Sequence, residues 1–90
     1  MTAPEVCQYV NQASPSEYLQ SLSTLRVETR FLALNAVYQT SEERWLVNVQ
    51  VIAERQILKD RQWLHDPRLE TIKLCQQYYF YETTGAVIRK

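Results

Sequence analysis

The sequence predicts an α+β fold in which one or two N-terminal helices pack on a three- to four-stranded antiparallel sheet. Three observations favour this fold. Apolar residues alternate with a period of two over residues 44–58, the preceding segment 27–39 can pair with them so that the apolar faces coincide, and a helix start signal lies at Ser14. The alternative is a three- or four-helix bundle with breaks near residues 14, 41 and 66, because TSEE at residues 40–43 also resembles a helix N-terminus.

The N-terminal part of the chain carries the clearest helix signal. Ser14 is a favourable N-cap, Pro15 suits the first helical position, and Glu17 completes a capping box. Apolar residues follow at helical spacing, at positions 18, 19, 22 and 25. We therefore predict a helix over residues 15–24, whereas residues 4–12 form either a second short helix or a surface segment.

The clearest strand signal is a hairpin of residues 27–39 and 44–58. A helix over the second segment would place its valines on opposite sides, whereas a strand places them on one face together with Trp45. Valine is also stiff at χ1 and suits a pleated surface. The register that joins the two apolar faces pairs Tyr38 with Trp45, Ala36 with Val47, Leu34 with Val49, Leu32 with Val51 and Glu28 with Arg55.

The C-terminal part of the chain predicts a second hairpin. Residues 59–68 read as a charged connector, which the Asp66–Pro67 step ends. Residues 72–81 alternate as a strand, and Gly85 supplies the positive φ of the turn that follows. The inward-pointing side chains of this strand are expected to be Ile72, Leu74, Tyr78 and Phe80. A helix that begins at Asp66 is the alternative for the first half of this region.

The composition indicates one small globular domain over residues 1–90. The chain is 46% hydrophobic and 22% charged, which is too apolar for a disordered protein. Ten basic and ten acidic residues cancel, so no overall field steers the chain to nucleic acid or anionic lipid, and little charge opposes self-association. We expect a cytoplasmic protein without a membrane partner, because no signal peptide and no apolar segment of roughly 20 residues is present.

The sequence lacks the motifs of enzymatic and cofactor chemistry. One glycine is too few for a phosphate-binding loop or a dinucleotide fingerprint. His65 could act as a general base with Asp60 or Asp66, yet no turn that presents a nucleophile accompanies it. One histidine and the distant Cys7 and Cys75 do not make a usual zinc site. We therefore predict no enzyme activity, no cofactor and no metal, and a reduced Cys75 that is buried as a small apolar residue.

The aromatic residues carry most of the functional information. YYFY at residues 78–81 places four consecutive aromatic side chains on one strand, so Tyr79 and Tyr81 point away from the core, beside Lys73. Tyrosine is amphipathic and is enriched at protein interfaces. Trp63 lies among charged residues, and tryptophan with arginine is a common composition of binding hot spots. We predict a partner-binding role for Tyr79, Tyr81, Trp63 and Lys73.

These observations predict a small non-enzymatic protein-interaction module, such as an adaptor, a regulator or an assembly factor. It would act through the surface or the edge of its sheet, on another protein or on a second copy of itself as a homodimer. The alternative is a single-stranded nucleic-acid-binding protein that stacks bases on the exposed tyrosines. Nucleic acid is the less favoured partner, because the arginines are scattered among acidic residues and phosphate binding needs clustered cations.

Overall fold

The computed structural model describes all residues from Met1 to Lys90 and contains one helix and six strands. Helix α1 spans Ala3–Ala13. The strands are β1 (Glu17–Leu22), β2 (Leu25–Gln39), β3 (Arg44–Lys59), β4 (Gln62–His65), β5 (Ile72–Tyr81) and β6 (Ala86–Arg89). The α+β prediction therefore holds with one short N-terminal helix, but the sheet has more strands than predicted. The helix is neither long enough nor apolar enough to cross a membrane.

All six strands form one long, narrow antiparallel sheet. The strand order is β1-β2-β3-β5-β6, and β4 pairs with β3 on the side that also carries β5. The molecule measures 50 × 21 × 19 Å, and its radius of gyration is 15.8 Å. A compact domain of this length would have a radius of gyration of about 12 Å. The chain is therefore strongly elongated along its strands.

The sheet changes width along its length because three of its strands are short. At one end β6 pairs with β5 only over residues 78–81. At the other end β1 pairs with residues 25–29 of β2, and β4 pairs with residues 56–59 of β3. The middle of the sheet consists of β2, β3 and β5 alone. As a result β2 has an open edge over residues 30–39, and β5 has one over residues 72–76.

The predicted hairpin of β2 and β3 is confirmed, with a register error in its second half. The predicted pairing holds from the loop as far as Asn35, which lies opposite Asn48. A β-bulge between Ala33 and Asn35 then places Ala33, not Leu34, opposite Val49. A bulge adds one residue to one strand, so every later pair shifts. The pairs predicted beyond it are wrong by one residue: Leu32 lies opposite Gln50 instead of Val51, and Glu28 opposite Glu54 instead of Arg55.

The helix predicted over residues 15–24 is wrong, because residues 17–22 form β1 and pair with β2. Every residue of β1 is exposed, so the helical spacing of its apolar residues finds no surface to pack against. Most helical stability in proteins comes from such packing rather than from the capping signal. The segment instead completes its backbone hydrogen bonds at the edge of the sheet.

Helix α1 has both the capping signal and a surface to pack against. The Thr2 hydroxyl accepts a hydrogen bond from the Glu5 amide at 3.4 Å, and the Glu5 carboxylate accepts one from the Thr2 amide at 3.0 Å. This is a complete capping box, with Pro4 in the first turn. Val6 and Val10, one turn apart, are buried against the sheet. The helix therefore forms over residues that were predicted to be either helix or surface segment.

The connector predicted over residues 59–68 contains a third hairpin, between β3 and β4. Lys59 pairs with Gln62, so that the loop consists of two residues. Both of them, Asp60 and Arg61, have positive φ angles, of 51° and 62°. A two-residue hairpin turn of type I′ requires this backbone, which favours Asn-Gly or Asp-Gly. The sequence has no glycine at this turn and so gave no sign of the hairpin.

The core lies at one end of the sheet, under α1. We call the sheet face that contacts α1 the helix face, and the opposite face the open face. An 11-residue helix is about 16 Å long, so it covers only part of a 50 Å sheet. Ile72 and Leu74 lie on the helix face as predicted, but they are 60% and 57% exposed because α1 does not reach them. The buried apolar residues are Val6, Val10, Ala33, Ala36, Trp45, Val47, Val49 and Phe80.

Candidate functional site

The four predicted partner-binding residues all lie on the open face, but they do not lie together. Tyr79 and Tyr81 are at the end of the sheet beside the β2–β3 loop. Along β3, the register separates Tyr79 from Lys73 by six residues and from Trp63 by twelve. At about 3.3 Å per residue these separations are roughly 20 Å and 40 Å. The open face therefore brings Tyr79 and Tyr81 together and leaves Lys73 and Trp63 in separate regions.

Arg44 contacts both Tyr79 and Tyr81 at the loop end of the open face. Its guanidinium carbon lies 3.7 Å from the centre of the Tyr79 ring, and its Nη1 donates a hydrogen bond to the Tyr81 hydroxyl at 3.3 Å. Its Nε donates to the side chain of Gln39 at 2.8 Å. Both tyrosines are half-buried as a result. One face of the Tyr79 ring is therefore available to a partner only if Arg44 moves.

Arg26 holds a second aromatic pair at the far end of the open face. Its guanidinium carbon lies 4.2 Å from the centre of the Tyr18 ring and 4.3 Å from the centre of the Trp63 ring. Its Nε donates a hydrogen bond at 2.7 Å to the side chain of Gln56, which is itself buried. Such contacts contribute about 0.5–1 kcal/mol each at exposed sites. The contact of Trp63 with Arg26 therefore stabilises the packing of the short strand β4 at this end of the sheet.

A row of side-chain amides separates these two aromatic clusters. Asn48 donates to Asn35 at 2.6 Å, Gln77 donates to Asn48 at 3.0 Å, and the Lys90 ammonium donates to Gln77 at 3.2 Å. Cys75, on the same face, is exposed rather than buried as predicted, because nothing covers this face. The polar row divides the open face into two unconnected apolar parts.

His65 does not contact either of the aspartates that the sequence suggested as partners. Its Nδ1 lies 3.0 Å from the carboxylate of Glu54, two residues along β3 from its cross-strand neighbour Gln56. Glu54 also lies 3.6 Å from the guanidinium of Arg30. No group of three histidine, cysteine, aspartate or glutamate side chains lies close enough together to hold a metal ion. His65 therefore lies beside the ion pairs of Arg30 with Glu28 and Glu54 on the sheet surface.

The helix face beyond α1 carries several exposed apolar side chains. Among them, Leu19, Ile72 and Leu74 have 74%, 60% and 57% of their surface exposed. Ile72 and Leu74 were predicted to point into the core, but α1 is too short to cover them. We call this region the uncovered apolar surface; its residues are Leu19, Val27, Phe31, Val51, Ala53, Leu69, Ile72 and Leu74.

A cleft of about 280 Å³ lies in the uncovered apolar surface. Val27 and Ala53 form its floor on neighbouring strands, and Leu69 closes one side from the loop that precedes β5. Arg55 and Glu70 provide the charged groups that line it. The cleft is smaller than the 300–1,000 Å³ typical of small-molecule sites. Its size and lining suit one or two apolar side chains of a protein partner.

A second depression, a groove of about 490 Å³, runs between α1 and the open edge of β2. Cys7 and Asn11 line its helix side, and Leu34 lines its strand side. The Asn11 side chain accepts a hydrogen bond from the Ala33 amide at 2.7 Å, so one outward-facing donor of the edge is already satisfied. Partial burial raises the pKa of the Cys7 thiol, which leaves Cys7 protonated and unreactive at neutral pH. The groove therefore has the shape of a binding site, but its lining has no reactive side chain.

The comparisons of this chain with protein-family models, curated proteins and solved structures find no match. Its function therefore has to be argued from the surfaces described above. Two of these surfaces, the aromatic clusters and the uncovered apolar surface, lie on opposite faces of the sheet. Only the second is apolar over a continuous area that spans several strands.

Proposed function

We propose that this chain is a small non-enzymatic protein-interaction module that self-associates and serves as an adaptor, a regulator or an assembly factor. The observation that carries the proposal is the amount of surface left exposed. The accessible surface is 6326 Å², about 800 Å² more than a compact monomer of this mass exposes. Each partner of a standard protein–protein interface buries roughly 800 Å².

The character of the exposed surface supports a protein partner. Fifteen large apolar side chains are exposed, whereas the buried core contains eight residues. A monomeric soluble protein rarely exposes a contiguous apolar patch of more than a few hundred Å², and larger patches mark interaction sites. The uncovered apolar surface is contiguous, because its members occupy neighbouring positions on β1, β2, β3 and β5.

The alternative function, binding of single-stranded nucleic acid, has some support on the open face. Cations stand beside aromatic rings there, at Arg44 with Tyr79 and at Arg26 with Trp63. However, each arginine already occupies the ring on which a base would stack. Such binding also requires a continuous positive groove, and the ion pairs of Arg30 with Glu28 and Glu54 interrupt this face. The interaction module is therefore the better supported proposal.

Sedimentation velocity over a range of protein concentrations tests the proposed function. We expect a dimer or a small defined oligomer at micromolar concentration. Fluorescence titration of the same sample with single-stranded oligonucleotides at low salt is expected to show no binding. A chain that stays monomeric at every concentration would contradict the self-association. Salt-sensitive oligonucleotide binding that Tyr79→Ala abolishes would favour the alternative.

A further inference from the structure

We propose that a second copy of this chain packs on the uncovered apolar surface, so that two sheets lie face to face beyond their helices. This inference rests on the proposed function and identifies the partner and the surface. The same surface would contribute from both copies, as a two-fold axis requires. Three features of the molecule support a second copy as the occupant: layer thickness, area and charge.

The thickness of the helix layer matches that of a second sheet. An α-helix with its side chains is about 10–12 Å across, and two packed sheets are separated by about 10 Å. Helix α1 occupies this layer over the core end of the sheet. A second sheet can therefore occupy the same layer over the other end without a collision, and the end of α1 limits how far the partner sheet can extend. The two-layer architecture would then continue along the whole 50 Å of each sheet.

The exposed area of the whole molecule is sufficient for a stable dimer. The accessible surface of 6326 Å² exceeds that of a compact monomer of this mass by about 800 Å², which equals one partner's share of a standard interface. Most of the apolar members lie on the strands β2, β3 and β5, and Arg55 lies among them on β3, opposite Val27. Arginine is one of the residues enriched in protein interfaces.

Charges of both signs lie near this surface. Arg55 is exposed on the helix face, Glu17 lies on the same face of β1, and Glu70 stands beside the cleft. A partner of a single charge sign, such as a nucleic acid or an acidic peptide, would meet both attraction and repulsion here. A second copy related by a two-fold axis can oppose its cation to the anions of the first copy. A dimer of two copies can therefore pair these charges with each other, whereas a different partner would need its own complementary charges.

The open face is less suitable for a second copy. Val37 and Ile88 are exposed there, at 59% and 52%. However, the row of amides from Asn35 to Lys90 and the ion pairs around Glu54 cross this face. Dehydration of such groups in a face-to-face dimer costs free energy unless each finds a new partner. The two exposed residues therefore provide a matched control on the opposite face.

The test is sedimentation velocity and light scattering on two double variants. In the first, Ile72→Lys with Leu74→Lys places two charges in the proposed interface of each copy. We expect the dimer dissociation constant to rise at least about 100-fold, because every substitution occurs twice in the dimer. In the control, Val37→Lys with Ile88→Lys adds the same charge on the open face, and we expect a change of no more than about threefold. All four side chains are more than half exposed, so circular dichroism should show both variants folded.

The outcomes separate this inference from the proposed function. Loss of the dimer in the first variant alone supports the inference. A dimer that survives both variants, or that only the control disrupts, overturns the inference but leaves a self-associating module. A wild-type chain that is monomeric throughout overturns both.

Discussion

Asp66 shows at the scale of one residue how a loop without regular structure is held in place. Its side chain is inaccessible to solvent and accepts three hydrogen bonds from Arg68, from the backbone amide, Nε and Nη2, each at 3.0 Å. These bonds lower the pKa of Asp66 from 3.8 to about 2. The Asp66 amide also donates to the Arg55 carbonyl at 2.9 Å. The Asp66 carboxylate therefore holds the loop that carries Leu69 in its conformation, and the Asp66 amide joins this loop to the sheet.

The lowered pKa of Asp66 predicts how its contribution to stability depends on pH. The folded state holds Asp66 ionised more strongly than the unfolded chain does, so ionisation stabilises the fold. This contribution is complete well above pH 3.8 and is lost as the pH falls toward about 2. Urea unfolding of the wild type and of Asp66→Asn should show a wild-type advantage at neutral pH that disappears over this range. Glu43→Gln, in an exposed loop, is the control and should show no such trend; a pH-independent difference for Asp66→Asn would contradict the assignment.

At the scale of elements, the hairpin turns show where the chain stores backbone strain. Asp60 and Arg61 have left-handed φ angles of 51° and 62° without being glycine. Gly85 has a φ of 73° in the β5–β6 turn, and a Cβ there would lie 2.9 Å from the Tyr9 hydroxyl. That hydroxyl donates to the Gly85 carbonyl at 3.2 Å, which fixes α1 to this turn. Glycine should therefore be more favourable than a larger residue in both turns.

We predict that Arg61→Gly raises the free energy of unfolding by about 0.5–1 kcal/mol, because an L-residue in this conformation costs roughly 1–2 kcal/mol and glycine does not. We predict that Gly85→Ala lowers it by at least about 1 kcal/mol, from strain and from crowding of Tyr9. Chemical denaturation of both variants at one protein concentration checks the signs. Destabilisation by Arg61→Gly would show that the Arg61 side chain contributes more than the turn strain costs.

The hairpin of β2 and β3 could be predicted because its sequence contains two independent signals. Alternation marks each strand, and the matching of apolar with apolar residues sets the pairing. The bulge could not be predicted, since residues 31–34 are all apolar and give no sign of a change of phase. The error over residues 15–24 has another cause. Thr2 with Glu5 and Ser14 with Glu17 are equally strong capping signals. A helix forms only after the first, because only there does the core provide a surface on which the helix can pack.

The candidate surface could be predicted only in part. Strand periodicity places Tyr79 and Tyr81 on one face and Ile72 and Leu74 on the other, and the structure has them so. Whether a face is buried depends on what covers it, and that is a property of the whole molecule. The alternation of residues 72–81 predicts which side chains point toward the helix layer but not how far that layer extends. In the structure the helix layer ends with α1. Ile72 and Leu74, which were predicted to point into the core, are therefore part of the uncovered apolar surface.

At the scale of the whole molecule, the single core at one end predicts uneven local stability. Residues 45–49 of β3 lie under α1 between β2 and β5, and their inward side chains are buried. Residues 51–57 of the same strand pair as regularly but have one buried side chain, that of Gln56. Regions with few buried apolar contacts open at a lower free energy than the core. A second copy on the uncovered apolar surface would remove this difference in the dimer.

Amide hydrogen exchange at two protein concentrations therefore tests the architecture and the dimer together. Binding protects only those openings that require the partner to leave, in proportion to its occupancy. On dilution below the dimer dissociation constant, we expect protection of residues 51–57 to fall at least about tenfold. Ile72→Lys with Leu74→Lys should show the diluted pattern at every concentration. Protection of residues 51–57 that does not depend on protein concentration would mean that the partner does not rest on the far half of the helix face.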